Sequence, residues 1–224
     1  MLSKNNLINL SENTNSNDSV IVLGGCGSLQ VHPDIVSFLE KQGLEVYHHN
    51  RSADKLLGEH SSAILNYLQE IRNSINILLE KGKRVHIYAN SFGGYLAMQI
   101  TGEANNNISS AVVIAPIIDP IKSINIIKSS KQDNENTWIK LPDGRDFPIL
   151  NTNMEFLANN KVELFLPLGL IIIGNKDEII DYKDIQSVSG SKLNKYVLEG
   201  VNHGNISSHI YTKSLMEDFY SQFR

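Results

Sequence analysis

Fourteen residues near the middle of the chain, Val85 to Met98, constrain its fold more than any other stretch: Val-His-Ile-Tyr-Ala-Asn-Ser-Phe-Gly-Gly-Tyr-Leu-Ala-Met. An apolar run of strand length passes into a helical pattern with only Ser91 at the turn between them. Two residues before it stands Ala89, and two after it Gly93. A strand that reverses this abruptly into a helix leaves no room for large side chains at those flanks, and it strains the backbone of the turn residue. The hydroxyl is expected to stand clear of the sheet, with the helix N-terminus aimed at whatever it meets. The bland alternative is a serine N-cap on an ordinary helix.

The rest of the chain repeats a compatible rhythm. Short apolar runs of strand length recur at 19–23, 44–47, 84–89, 111–115, 168–173 and 195–198. Helical spacing separates them: Ile35, Phe38 and Leu39 after Pro33; Ile64, Leu68, Ile71, Ile75 and Leu78 between about 59 and 80; Ile206, Ile210, Leu215, Phe219 and Phe223 in the tail. Strand–helix–strand units imply a parallel sheet. The expected fold class is α/β, a mostly parallel sheet of about six strands flanked by helices. Residues 1–18, rich in Asn and Ser, read as a polar N-terminal leader in which only 7–10 has strand character; 19–224 read as one domain. Residues 117–167 interrupt the rhythm and form a candidate lid. A short apolar helix (Ile117, Ile121, Ile124, Ile127), a polar stretch from Lys128 to Asn136, a hairpin around Pro142-Asp143-Gly144 and a helix near 154–160 are expected there. The four isoleucines are candidates to line an acyl pocket above Ser91.

Composition removes several function classes. A net charge of −4 carries no basic footprint for nucleic acid. The single Cys permits no internal disulfide framework, and no Cys/His spacing suggests a metal site. No cofactor is implied. The N-terminus lacks the apolar core of a signal peptide, and no run reaches the about 18 apolar residues of a membrane span. A cytoplasmic protein is the default expectation; oligomeric state is not legible.

Ligands of open parallel sheets bind at the carboxyl ends of the strands. Three polar loops follow strands here: the turn at Ser91, then Gly174-Asn175-Lys176-Asp177-Glu178, then Gly200-Val201-Asn202-His203-Gly204. Their order is Ser, Asp, His. The turn resembles the G-x-S-x-G nucleophile elbow of the α/β-hydrolase superfamily, with Ala89 for the first Gly, and the order of the three loops is also that of the superfamily's triads. The resemblance covers 19–224 apart from the insertion. It implies Ser91 as nucleophile, His203 as general base and Asp177 as the acid that orients the imidazole. It also implies an oxyanion hole from the backbone N–H of Phe92 and, on the glycine turn Gly24-Gly25-Cys26, that of Cys26. Gly24 stands where the superfamily usually has His.

Rival assignments exist for each role. Asp177 is also placed to cap a helix; Glu178 and Asp119 are alternative acids, His209 is an alternative base, and Cys26 is an alternative nucleophile. His86 reads as a core histidine. The chain is similar to small serine carboxylesterases and acyl thioesterases. That similarity implies hydrolysis of a small-molecule or acyl-carrier ester or thioester through an acyl-enzyme. Ser-Phe-Gly-Gly-Tyr is also similar to the elbow of prolyl-oligopeptidase-like peptidases, and a non-catalytic binding protein on the same fold is the alternative from another class.

Overall fold

The computed structural model describes residues 7–11, 16–25, 32–49, 57–58, 63–102, 107–141, 144–160, 166 and 168–223. The first strands are β1 (Leu7–Asn9), β2 (Asp18–Leu23), β3 (Glu45–His49), β4 (Arg84–Asn90) and β5 (Ile108–Ile114). The first helices are α1 (Pro33–Lys41), α2 (Ala63–Glu80) and α3 (Phe92–Thr101). Residues 117–167 contribute α4 (Pro120–Ile126), β6 (Lys128–Gln132), β7 (Asn136–Lys140), β8 (Asp146–Leu150) and α5 (Asn151–Asn159). The main sheet resumes with β9 (Leu168–Gly174) and β10 (Lys192–Leu198), and α6 (Ile210–Ser221) follows.

The main sheet has the order β1-β3-β2-β4-β5-β9-β10. All neighbours from β3 to β10 are parallel. This architecture matches the mostly parallel, helix-flanked sheet anticipated from the strand–helix rhythm. Its central strands are buried almost throughout, as the runs Val20–Leu23, Ala111–Ile114 and Leu170–Ile173 require of a sheet covered on both faces. Helix α2 buries Ile64, Tyr67, Leu68, Ile71, Ile75 and Leu78 along one stripe. Fully burying an aliphatic side chain of this size contributes roughly 1.5–3 kcal/mol.

Part of the expected leader is sheet. β1 pairs antiparallel with β3, Leu7 opposite His49 and Asn9 opposite Tyr47, and Asp18 already belongs to β2. The Asn9 amide donates to Glu45 at 2.9 Å, the Tyr47 hydroxyl donates to the same carboxylate at 2.9 Å, and Lys83 pairs with it at 3.0 Å. β1 falls in the stretch 7–10 that has strand character in the sequence, and the Asn9–Glu45 bond, which hydropathy does not report, adds to its pairing with β3.

The interruption is itself ordered. β6, β7 and β8 form a separate three-stranded antiparallel sheet, with the expected hairpin as its β7–β8 half. The stretch from Lys128, which reads as polar loop, supplies the third strand. Two connections position the site. From β2 the chain moves to β3 on one side, whereas β4 lies on the other side of β2. The loops leaving β2 and β4 therefore part company at the sheet's switch point, where a crevice opens.

Candidate active site

Ser91 lies between β4 and α3 with φ 52° and ψ −121°. For a residue with a Cβ this costs on the order of 1–3 kcal/mol and persists only where the surroundings enforce it. Its N–H donates to Ile114 O at 3.0 Å, and its carbonyl accepts from Gly94 N at 2.9 Å and Ile117 N at 3.1 Å. Ala115 is the other described non-glycine residue with positive φ, at 43°. Both strained residues thus lie on the one crossing between the ends of β4 and β5. Gly93 is small because the end of β2 passes over it: a Cβ there would lie 2.2 Å from Leu23 O. At Gly25 a Cβ would lie 2.7 Å from Ser91 Cβ, so the turn after β2 rests directly against the serine.

Asp177 follows β9. Its Oδ1 accepts from Ile179 N at 2.9 Å and Ile180 N at 2.8 Å, and its Oδ2 lies 2.8 Å from His203 Nδ1. Capping and orienting the histidine are thus divided between two oxygens of one carboxylate. The side chain is fully buried, and that of His203 is 11% exposed. His203 Nε2 lies 3.0 Å from Ser91 Oγ. With Nδ1–H donating to the carboxylate, Nε2 is left to accept the serine proton, a tautomer inferred from the partners.

The loops that carry Asp177 and His203 also hold each other. Lys176 N donates to Val201 O at 3.0 Å, and Gly200 N donates to Asn175 Oδ1 at 2.7 Å. Asn202 and Asn205 exchange backbone-to-side-chain bonds at 3.1 and 3.0 Å, closing a turn around His203.

The structure thus brings Ser91, His203 and Asp177 into one hydrogen-bonded chain and leaves Glu178, Asp119 and His209 outside it. Glu178 accepts from the His203 main-chain N at 3.2 Å, away from the ring. Asp119 caps α4, accepting from Lys122 N at 2.9 Å. His209 precedes α6 and packs on Tyr211, with ring centroids 5.5 Å apart. Phe92 opens α3, and its ring stacks on Tyr95 at 5.4 Å. Cys26 lies outside the described residues, and so does its N–H as an oxyanion donor. His86 is fully buried, with Nδ1 at 2.8 Å from Ser110 Oγ and Nε2 at 3.0 Å from Asp18 Oδ1.

A cavity of about 280 Å³ opens on the serine and histidine, at the small end of ligand pockets. Ile117, Ile124 and Ile127 line it, but Ile121 does not. Ile121 borders a separate outer groove beside Lys122 and Leu157. The helical spacing placed all four isoleucines on one stripe, whereas α4 spans only Pro120–Ile126 and Ile117 and Ile127 fall outside it. Leu57, Ile139, Leu141, Ile149 and Ile179 complete the apolar wall. Ile139 and Leu141, two apart on the hairpin, carried a period-two signal that marks an inward face. Among the described residues of this lining, His203 is the one side chain able to carry charge. Among the described residues no group of three or more His, Cys, Asp or Glu is placed to hold a metal ion, and no helix is long and apolar enough to cross a membrane.

Solved structures place this architecture. Est1E from Butyrivibrio proteoclasticus superposes with a TM-score of 0.68 at 15% identity, covering 97% of this chain and 90% of that one. The Pyrococcus furiosus esterase Pf2001 gives 0.61 at 19%, covering 93% and 83%. A soluble variant of monoglyceride lipase from Saccharomyces cerevisiae, in complex with a substrate analog, gives 0.67 at 13%, covering 96% and 90%. The chain has the α/β-hydrolase fold. No protein-family model and no curated protein sequence matches it. In α/β-hydrolase terms, β4, Ser91 and α3 form the elbow, and Asp177 and His203 stand after the last two strands of the sheet.

Proposed function

We propose that the protein is a serine hydrolase that cleaves a carboxylic ester or thioester through an acyl-enzyme. The observation that carries this is the unbroken chain from Asp177 Oδ2 through His203 to the strained Ser91, ending at an aliphatic cavity. The names of two solved neighbours, an esterase and a monoglyceride lipase, support an ester as substrate.

On this reading the Ser91 oxygen attacks the acyl carbonyl as its proton passes to His203 Nε2. Asp177 stabilises the imidazolium and keeps Nδ1 protonated. Negative charge on the carbonyl oxygen is met by the N–H of Phe92 at the start of α3, with the N–H of Cys26 as second donor; each such donor is worth about 3–4 kcal/mol of barrier. The carbonyl re-forms, the bond to the alkoxide or thiolate breaks, and His203 returns the proton to that group. A water then repeats the cycle and frees the acid. The cavity favours an uncharged aliphatic acyl group over a peptide, whose backbone polar groups would find few partners there.

The test is labelling with a fluorophosphonate probe, followed by a screen of p-nitrophenyl esters and acyl thioesters. Labelling at Ser91, abolished by Ser91→Ala, is expected, and turnover should fall by about four or more orders of magnitude in that variant. A folded protein that neither labels nor turns over any acyl substrate would leave a binding protein on this fold.

A further inference from the structure

We propose that Lys122 is a specificity-setting residue of the site described above: its ammonium ties the helix that carries Ile124 to the segment that carries Ile179, and so holds two walls of the cavity in register. This rests on the hydrolase reading. Lys122 Nζ donates to both oxygens of Asp184, at 2.7 and 3.0 Å, and to Asp181 Oδ2 at 3.1 Å.

The two ends of this contact belong to different parts of the site. Lys122 precedes Ser123 and Ile124 on α4, and both of those line the cavity. Asp181 caps the 3₁₀ turn Tyr182–Ser187, its Oδ1 accepting from Lys183 N at 3.0 Å, and Asp184 lies within that turn. The turn leaves directly from Asp177-Glu178-Ile179-Ile180, where Ile179 is cavity wall and Asp177 holds His203. α4 has seven residues, too short to be stable by itself. Its other anchors include the Asp119 cap, its buried residues Pro120, Ser123 and Ile124, the partly buried Ile121 and packing against α5; Asn125 and Ile126 are exposed. Removing the lysine charge leaves Asp181 and Asp184 side by side without the cation between them, so the segment is pushed as well as released.

Salt is the lever on this contact. The three side chains are 40%, 37% and 24% exposed, so mobile ions screen their attraction. The ammonium is charged throughout the neutral range, as for an ordinary lysine, and the hydrogen bonds to Asp184 and Asp181 raise its pKa further. A long acyl chain, which needs the aliphatic walls, should feel the loss. An acetyl group, which needs only Ser91 and its immediate partners, should not.

The experiment compares the parent protein, Lys122→Met and the double variant Asp181→Asn/Asp184→Asn on p-nitrophenyl acetate and octanoate, at about 0.02 and about 0.5 M NaCl. At low salt the octanoate-to-acetate ratio of kcat/KM is expected to fall by about fivefold in both variants, through KM for octanoate, with kcat on acetate held within about twofold. The parent's ratio should fall with salt, whereas that of Lys122→Met should not. Hydrogen exchange at the amides of 120–126 should quicken in both variants, a readout that needs no substrate. An active parent whose ratio is the same in all three proteins overturns the role of Lys122 and leaves the hydrolase reading standing. A parent inactive on both esters removes the hydrolase reading, and the specificity role with it.

Discussion

Asp177 does two jobs with one carboxylate, and the two have different sensitivities. Oδ1 needs only to accept from Ile179 N and Ile180 N, which an amide oxygen also does; on the proposed mechanism Oδ2 must supply charge to the imidazole. Asp177→Asn is therefore expected to leave the thermal midpoint nearly unchanged while kcat drops by about four orders of magnitude. Asp119→Asn should leave turnover within about twofold, because asparagine caps a helix as well as aspartate. Ester kinetics and a melting curve on the two variants check both statements, and the reverse ranking would transfer the acid's role to Asp119. At this scale much of the candidate site's geometry was legible in the sequence. The elbow announces itself through small residues, and the other two loops through polar clusters after apolar runs. The strain at Ala115 was not legible. That residue directly precedes Pro116, which packs against Gly94 so closely that a Cβ there would lie 2.6 Å from the proline ring, and alanine carries no mark of such a crossing.

At the scale of elements, α4 and the β6–β8 sheet divide their faces between cavity and solvent. Ile124 and Ile127 face the cavity from the α4 side, and Ile139 and Ile149 from the hairpin. A methylene fully buried against these walls is worth about 0.8 kcal/mol, close to fourfold in kcat/KM per carbon. Activity should thus rise with acyl length up to about eight carbons, the transfer term accumulating until the small cavity is full. Replacing Ile124 and Ile127 together by Ser should flatten that rise and barely change acetate turnover; an unaltered slope in an ester series would mean that these residues only cover the sheet. Strand–helix alternation and a turn signal located the hairpin and the helix before β9. The strand at Lys128–Gln132 was hidden because Lys-Ser-Ser-Lys-Gln has no apolar alternate to mark an inward face, and it is paired to β7 through its backbone. Ile121 was assigned to the wrong cavity because spacing defines a stripe and not the neighbour it meets.

Across the whole molecule, the far end of the sheet from Ser91 carries a second polar cluster. His86 is buried between Asp18 and Ser110, and Phe223 packs edge-on against it at 5.1 Å. Burial is the larger influence and holds its pKa below the ordinary 6.5; the bond and charge of Asp18 pull the other way, and Arg84 adds to the depression. Burial lowers His48 likewise. The folded protein therefore takes up these protons less readily than the unfolded chain. Their contribution is complete above pH 6.5 and is lost as pH falls below it toward the depressed folded values. Calorimetry from about pH 7.5 to about 5.5 should show a falling melting temperature, and His86→Asn should lessen the slope although the variant starts lower. An identical slope would assign the acid sensitivity elsewhere. The separation of Ser91 from His203 along the chain, 112 residues, has a consequence for the protein while it is being made. At about 5–20 residues per second a ribosome needs roughly 6 to 22 s to go from the codon for the serine to that for the histidine. Throughout that interval the nascent serine has no base to remove its proton, so on the proposed mechanism the newborn chain stays chemically silent toward the esters and thioesters around it.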